Sequence, residues 1–281
     1  MPRVSVLTPI YNTNPSHLRE MIESILNQTF TDFEFLILND SPENKEIEKI
    51  VKSYKDKRIK YFKNDKNMGI TPSRNKLMDM ACGEYIAVFD HDDISVPSRL
   101  EQQVNFLDKN PHIGVVSGWL KFFGNKTTIL KNPEYDNDIK IFMTDDCVIA
   151  HTAAMIRKSV LDENNIRYDE YYSPSEDYKL WAQLMPLTHF YNIPNVLVLY
   201  RYIDGNTTNT QQDKMVSTSN AIRLELRNKY SAYYAEYRSR TIEHSGTTFR
   251  FRLFGLVPIF KIKNSWVFLF EFIPIFKFSN K

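Results

Sequence analysis

Asp90, His91, Asp92 and Asp93 follow the apolar run Tyr85-Ile86-Ala87-Val88-Phe89 without a break. Carboxylates at the end of a buried strand suit a hard divalent cation, Mn²⁺ or Mg²⁺, which takes one or two protein oxygens and keeps waters or phosphate oxygens for the rest. In extended backbone, alternate side chains point the same way, so Asp90 and Asp92 can share one ligand; Asp93 can equally cap the helix that Pro97 begins. A phosphorylated substrate carried on a cation is the chemistry this run suggests. A second acidic pair, Glu176-Asp177, follows Ser175. Taken alone it reads as a helix start, with Ser175 as cap and the carboxylates complementing the dipole. His151 falls on what reads as a strand from Val148 to Ile156, where a histidine is either a satisfied core group or a ligand contact. Arg99 is expected on the exposed face of the helix after Pro97.

The segments around these residues must position them. Val4-Ser5-Val6-Leu7 and Phe33-Glu34-Phe35-Leu36-Ile37-Leu38 read as strands, separated by helical spacing at Leu18, Ile22, Ile25 and Leu26. Alternation continues with a helix over 43–54, a strand over 59–62, a helix over 71–80 and a strand over 85–89. The expected fold class is α/β, a Rossmann-like, mostly parallel sheet flanked by helices, with its crevice at the carboxyl ends of the strands. Loops 8–14, 39–41 and 90–93 should face that crevice. Beyond a helix ending near Leu107, strands over 115–122, 148–156 and 196–200 and a helix over 176–184 should build a second wall. A catalytic domain over 1–210 is expected, with a nucleotide-binding half at 1–110 and an acceptor half at 111–210. An extension over 211–281 follows: one helix to about Arg240, striped by Ile222, Leu226, Tyr230, Tyr233, Tyr234 and Tyr237, then a basic-aromatic tail.

The 281 residues, 42% of them hydrophobic, suffice for a sizeable core. Basic and acidic side chains nearly cancel to +2, which argues against nucleic acid as the main partner. Cys82 and Cys147 suit free thiols in a reducing compartment, and the apolar run Val4 to Leu7 is too short for a signal-peptide core, so a cytoplasmic location is expected. In the tail, Arg250, Arg252, Lys261, Lys263, Lys277 and Lys281 face only Glu271 and are interleaved with phenylalanines; the segment 253–261 is echoed by 269–277. Such a surface suits an anionic lipid interface, and its longest apolar run, 266–276, is too short to span a bilayer. Peripheral contact of residues 250–281 with the inner face of the cytoplasmic membrane is therefore expected, with packing on the body as the alternative. No glycine-rich, lysine-bearing loop follows the first strand, and no Gly-x-Gly-x-x-Gly follows any strand. Nucleotidyltransferase and dinucleotide oxidoreductase chemistry are disfavoured accordingly.

Five motifs in order complete the reading: Val4 to Asn12, Asn39-Asp40-Ser41, Asn67-Met68-Gly69-Ile70 with Arg74-Asn75, Asp90 to Asp93, and Ser175-Glu176-Asp177-Tyr178. Together they resemble family 2 inverting glycosyltransferases of the GT-A fold over roughly residues 1–210, and the stretch from His151 to Arg201 is most similar to bacterial lipooligosaccharide and capsule enzymes. The resemblance implies transfer of a hexose or N-acetylhexosamine from a UDP-sugar to a glycan or lipid-linked oligosaccharide acceptor. It implies that Thr8, Pro9 and Tyr11 cradle uracil and ribose, Asp40 reads the uracil edge, and Arg74 contacts the nucleotide. Asp90 would meet the ribose or donor sugar, His151 would lie near the donor sugar or acceptor, and Arg201 would approach the diphosphate. Asp92 would ligate the metal, and Asp177 would be the base, with Glu176 beside it. Relatives carry a histidine after the Tyr-Arg pair where this chain has Ile203, so Asp204 is the substitute ligand. A binding protein of the same fold without catalysis is the alternative, and it would be expected to have lost Asp92 or Asp177.

Overall fold

The computed structural model describes residues 1–203 and 211–243, together with the backbone of four short strands beyond them. Its first half alternates strand and helix as the periodicity predicts. β1 (Val4–Ile10), β2 (Phe33–Asn39), β3 (Ile59–Lys63) and β4 (Tyr85–Val88) pair in parallel in the order β3-β2-β1-β4. The crossovers are α1 (Pro15–Leu26), α2 (Lys45–Ser53) and α3 (Ile70–Met80). Asn14 caps α1 by accepting from the Ser16 N–H, with Pro15 in the first turn, and Asn44 caps α2 by accepting from the Ile47 N–H. α3 starts after Gly69, whose φ of 90° is a conformation open chiefly to glycine.

β1, β2 and β4 are buried on both faces, which is why they read as largely apolar runs, whereas the edge strand β3 is partly exposed. Val4, Val6, Ile10, Phe35 and Ile37 share one core cluster with Leu18, Ile22 and Ile25 of α1; Leu7, Leu36 and Leu38 share the other with Leu77 and Met78 of α3. Each such side chain contributes roughly 1.5–3 kcal/mol on burial.

The second half adds β5 (Ile94–Ser95), β6 (Ile113–Gly124), β7 (Ile129–Leu130), β8 (Met155–Arg157) and β9 (His189–Tyr202). The sheet continues β4-β8-β6-β9-β5, with β7 on β6. β8 runs antiparallel to β4 and β6, while β6 and β9 run parallel over a long register, so most paired residues in the sheet are parallel. Helices α4 (Arg99–Lys109), α5 (Asp136–Met143), α6 (Lys158–Glu163) and α7 (Glu176–Leu184) pack around it.

Three expectations are corrected. The strand predicted over 148–156 is only β8; His151–Ala153 form a 3₁₀ turn. Side chains reach the carbonyls around this turn: Ser117 Oγ donates to Ala150 O, Gln103 Nε2 to Ala153 O, and Arg99 Nη2 to Ala154 O, which also accepts the Val88 N–H of β4. Arg99 is accordingly not a surface residue but completely buried, its Nη2 also donating to the Val88 carbonyl at 2.8 Å. Finally, the helix predicted over 211–240 is two, α8 (Gln212–Lys229) and α9 (Ser231–Glu243). Arg227 and Tyr237 both bind the Asp145 carboxylate, and a straight helix would separate residues ten apart by about 15 Å. The bend at Tyr230 brings them to one partner.

In the tail, β10 (Arg252–Leu253) pairs antiparallel with β11 (Val257–Pro258), and β12 (Trp266–Phe268) with β13 (Pro274–Lys277). The repeated segments thus each supply the second strand of a pair. Among the described residues no helix is long and apolar enough to cross a membrane.

Gly83 precedes β4 where the chain passes close to β1. A Cβ there would lie 2.6 Å from the Ser5 backbone nitrogen, which cannot yield without disturbing the ladder. Gly83→Ala is expected to lower stability by about 1–3 kcal/mol, measurable as a reduced denaturation midpoint without a change in its slope.

Candidate active site

A cleft of about 840 Å³ opens at the carboxyl ends of β1, β2 and β4. Its volume suits a bound small molecule. Pro9, Tyr11, Asp40, Arg74, Asp90 and Asp92 line it from the first half of the chain, and His151, Glu176 and Asp177 from the second. Asp92 and Asp177, far apart in sequence, therefore share one cavity.

Two expected contacts are placed elsewhere. The Thr8 side chain is fully buried within β1 and does not line the cleft, whereas the following Pro9, Ile10 and Tyr11 do. Arg201 also lies outside the lining and braces the acidic turn from behind: its backbone N–H donates to Asp93 Oδ1 at 2.9 Å, its Nε donates to the Asp92 carbonyl at 2.8 Å, and Nη2 pairs with Glu20. Asp93 is thus tied to β9, not to the start of α4. Asp204 lies outside the described residues.

Asp40 is buried at the end of β2 and organises the loop before α3. Its carboxylate accepts from Asn64 Nδ2 at 2.7 Å and from the Met68 and Gly69 N–H groups, both at 2.8 Å. Arg74, one turn into α3, donates through Nη1 to Glu176 Oε1 at 2.5 Å and through Nη2 to Asp90 Oδ1 at 2.9 Å. Burial opposes the charge on Asp90, but Arg74, through its charge and its hydrogen bond, holds that carboxylate below its ordinary range.

Asp177 behaves oppositely. Burial first, then the neighbouring Glu176, push its carboxyl up to about 7, against the pull of Arg74. Glu176 is itself buried, with Oε1 on Arg74 and Oε2 without a hydrogen bond. His151 Nε2 lies 2.8 Å from the Tyr168 hydroxyl and its Nδ1 lies 3.8 Å from Asp90; burial and Arg74 depress the imidazole to about 3, so it stays neutral. His91 Nδ1 meets Thr13 Oγ1 at 3.1 Å, linking the acidic turn to the loop after β1.

Among the described residues no three His, Cys, Asp or Glu side chains are grouped to hold a metal ion by themselves. Asp90 is committed to Arg74, whereas Asp92 lines the cleft with its carboxyl raised by burial and by Asp90, against His91. A carboxylate so short of positive charge fits a cation completed by phosphate oxygens, which is how Mg²⁺ and Mn²⁺ are commonly held beside a diphosphate.

Sequence reasoning missed Arg99 and Tyr168 as supports of this site. Arg99 lies under the acidic turn, its guanidinium 5.2 Å from the Phe89 ring centre, and burial lowers it to about 9. The signal was present: Arg99, Gln103 and Leu107 recur at i, i+4 and i+8, so an arginine shares the buried face. Tyr168 stands between His151 and Arg74, its ring 5.7 Å from the Arg74 guanidinium, and no local pattern marks it.

Comparison with known proteins agrees with this geometry. The sequence profile described as "Glycosyl transferase family 2" matches residues 5–165. A glycosyltransferase of Methanocaldococcus jannaschii is 38% identical over 207 residues, covering 71% of each chain, and one of Haemophilus influenzae is 31% identical over 236 residues, covering 80% of this chain and 73% of that one. Among solved structures, S. aureus TarS 1-349 in complex with UDP-GlcNAc superposes with a TM-score of 0.68 at 20% identity, over 86% of this chain and 73% of that one. The mannosyltransferase PcManGT from Pyrobaculum calidifontis, in complex with GDP-Man and Mn²⁺, gives 0.57 at 14% identity, over 87% and 84%. These structural likenesses are of fold. With its parallel first half, its acidic turn after β4 and this sequence match, the chain belongs to glycosyl transferase family 2 and has the GT-A fold.

Proposed function

We propose that this glycosyltransferase inverts the anomeric centre as it moves a hexose or N-acetylhexosamine from a UDP-sugar to a glycan or lipid-linked acceptor, in assembly of bacterial surface polysaccharide or lipooligosaccharide. What carries the reading is one cavity shared by Asp92 and by a carboxyl, Asp177, raised to about 7. An acceptor hydroxyl oxygen attacks the anomeric carbon from the face opposite the diphosphate. The new C–O bond forms as the bond to the diphosphate oxygen breaks, its electron pair leaving with UDP, and the hydroxyl proton passes to the Asp177 carboxylate. A base titrating near neutrality combines adequate basicity with availability of the deprotonated form.

Pro9, Tyr11 and Asp40, which line the cleft, are assigned to the uridine, Arg74 to the nucleotide, and Asp90 and His151 to the donor-sugar side. Arg74 acts there while paired with Asp90 and Glu176. A divalent metal, Mn²⁺ or Mg²⁺, on Asp92 would neutralise the charge of the departing diphosphate. Asp204 is assigned as its substitute ligand, and an unchanged metal dependence in Asp204→Ala counts against that role.

The decisive experiment incubates the protein with a panel of UDP-sugars and Mn²⁺ and measures UDP release. Release that falls about 100-fold or more in both Asp92→Ala and Asp177→Asn is the expected result; nucleotide binding without turnover would identify a binder instead.

A pH series examines Asp177 independently. On the acid side kcat/KM should climb through about pH 7, where Asp177 loses its proton. For stability, the folded value near 7 exceeds the ordinary 3.8, so folding takes up a proton: the native state is favoured below pH 3.8 and progressively loses that advantage up to about 7. Asp177→Asn should therefore raise the melting temperature at pH 8 and leave it nearly unchanged at pH 4.

We also assign residues 250–281 to an anionic membrane surface, on their basic and aromatic composition. The full chain should float with phosphatidylglycerol vesicles at low salt and be released by high salt; equal flotation with neutral vesicles would contradict an electrostatic contact.

A further inference from the structure

Helix α8 lies at the cleft beside Asp177. Gln211, at its N-cap, and Met215, Ser219 and Arg223 along it all line the cavity. At i, i+4, i+8 and i+12 they form one stripe. The helix is held firmly, because its Ile222 and Leu226 are buried in the core that also contains Tyr178 and Trp181. Register between stripe and base is set by Ser175, which directly precedes Glu176-Asp177. Its Oγ lies 2.8 Å from Thr218 Oγ1 and 2.9 Å from Ser219 Oγ, and it donates to the Met215 carbonyl at 3.3 Å. Arg223 Nε donates to the Asp145 carbonyl at 2.5 Å and Arg227 Nε to the Thr144 carbonyl at 3.0 Å, so α8 also fixes the segment that brings Asp146 and Cys147 to the cavity. α8 lies beyond the residues 5–165 that match the family.

We infer that the Met215, Ser219 and Arg223 stripe, with Asp146 and Pro174, is the acceptor subsite, and that the acceptor group it takes is an uncharged sugar or polyol. This rests on the reading of Asp177 as the base. The carboxylates of Asp146, Glu176 and Asp177 line this end of the cleft, against the guanidinium of Arg223 and that of Arg74, which Asp90 and Glu176 share. A phosphate or carboxylate near the attacking hydroxyl would sit among like charges in a partly desolvated site, where repulsion is strong. Hydroxyls add no charge: they donate to Asp146 and accept from Arg223 and Ser219. Met215 and Pro174 offer apolar surface for the C–H face of a ring.

The test supplies the full chain, Mn²⁺ and a UDP-sugar that it hydrolyses with methyl β-glycosides of glucose, galactose and N-acetylglucosamine, and in parallel with methyl glucuronide and glucose 6-phosphate. A neutral glycoside should raise UDP release above the rate with water alone, and the two anions should not. Met215→Trp and Arg223→Gln should each lower the ratio of transfer to hydrolysis by about tenfold, through a higher KM for the acceptor, while Met215→Leu keeps the ratio. Preference for an anionic acceptor overturns the inference, and so does an unchanged ratio in both variants. Absence of any UDP release in the unaltered protein overturns the transferase reading beneath it, and the subsite with it.

Discussion

Arg74 is buried between two carboxylates from opposite halves of the chain, Asp90 after β4 and Glu176 at the start of α7. A buried guanidinium must be matched within hydrogen-bond reach, so α3, the acidic turn and α7 are drawn to one point. Such a pair is weak evidence for stability, since desolvation consumes much of the attraction; its value is geometric. It fixes the spacing of Asp90 and Glu176, and with them their neighbours Asp92 and Asp177. Tyr168 and His151 close around the same guanidinium, so the cleft is organised about a cation that the protein itself supplies.

Around that cation, residues of one type acquire different chemistry. Asp90 faces Arg74 and is held in its charged form, whereas Asp177 faces Glu176 in a buried position and is raised to about 7. Asp93, completely buried, is pushed well above its ordinary value by burial and by its two acidic neighbours, and it serves structurally by holding the Arg201 backbone. Carboxylates with separated proton affinities in one cavity are what acid–base chemistry at neutral pH requires.

The two walls of the cleft have different origins. The wall from the first half of the chain is a parallel sheet whose strand ends deliver polar loops to one edge, a consequence of topology alone. The opposite wall is assembled from a 3₁₀ turn, the start of α7 and one stripe of α8, and it coheres through side chains that take up backbone carbonyls: Arg99 and Gln103 beneath the His151 turn, Arg223 and Arg227 beneath the segment before Cys147. Long side-chain donors thus supplement the ladder where the wall is irregular.

Sequence alone determined the parallel half, because period 2 and period 3.6 are local properties and α1, α2, α3 and β1 to β4 fall where the apolar spacing puts them. It also singled out the acidic turn and the Glu176-Asp177 pair, since residue type and spacing suffice to mark carboxylates at a strand end and a helix start. Only the tertiary structure decided that Thr8 and Arg201 stand outside the cleft, that Arg99 is buried, that the predicted helix over 211–240 bends at Tyr230, and that α8 belongs to the site. All but the placing of Thr8 depend on a partner remote in the chain: Ala154 for Arg99, Asp93 for Arg201, Asp145 for Arg227 and Tyr237, Ser175 for α8. Long-range hydrogen bonds to buried groups leave no periodic trace in sequence, because what they satisfy is created only when the chain has folded.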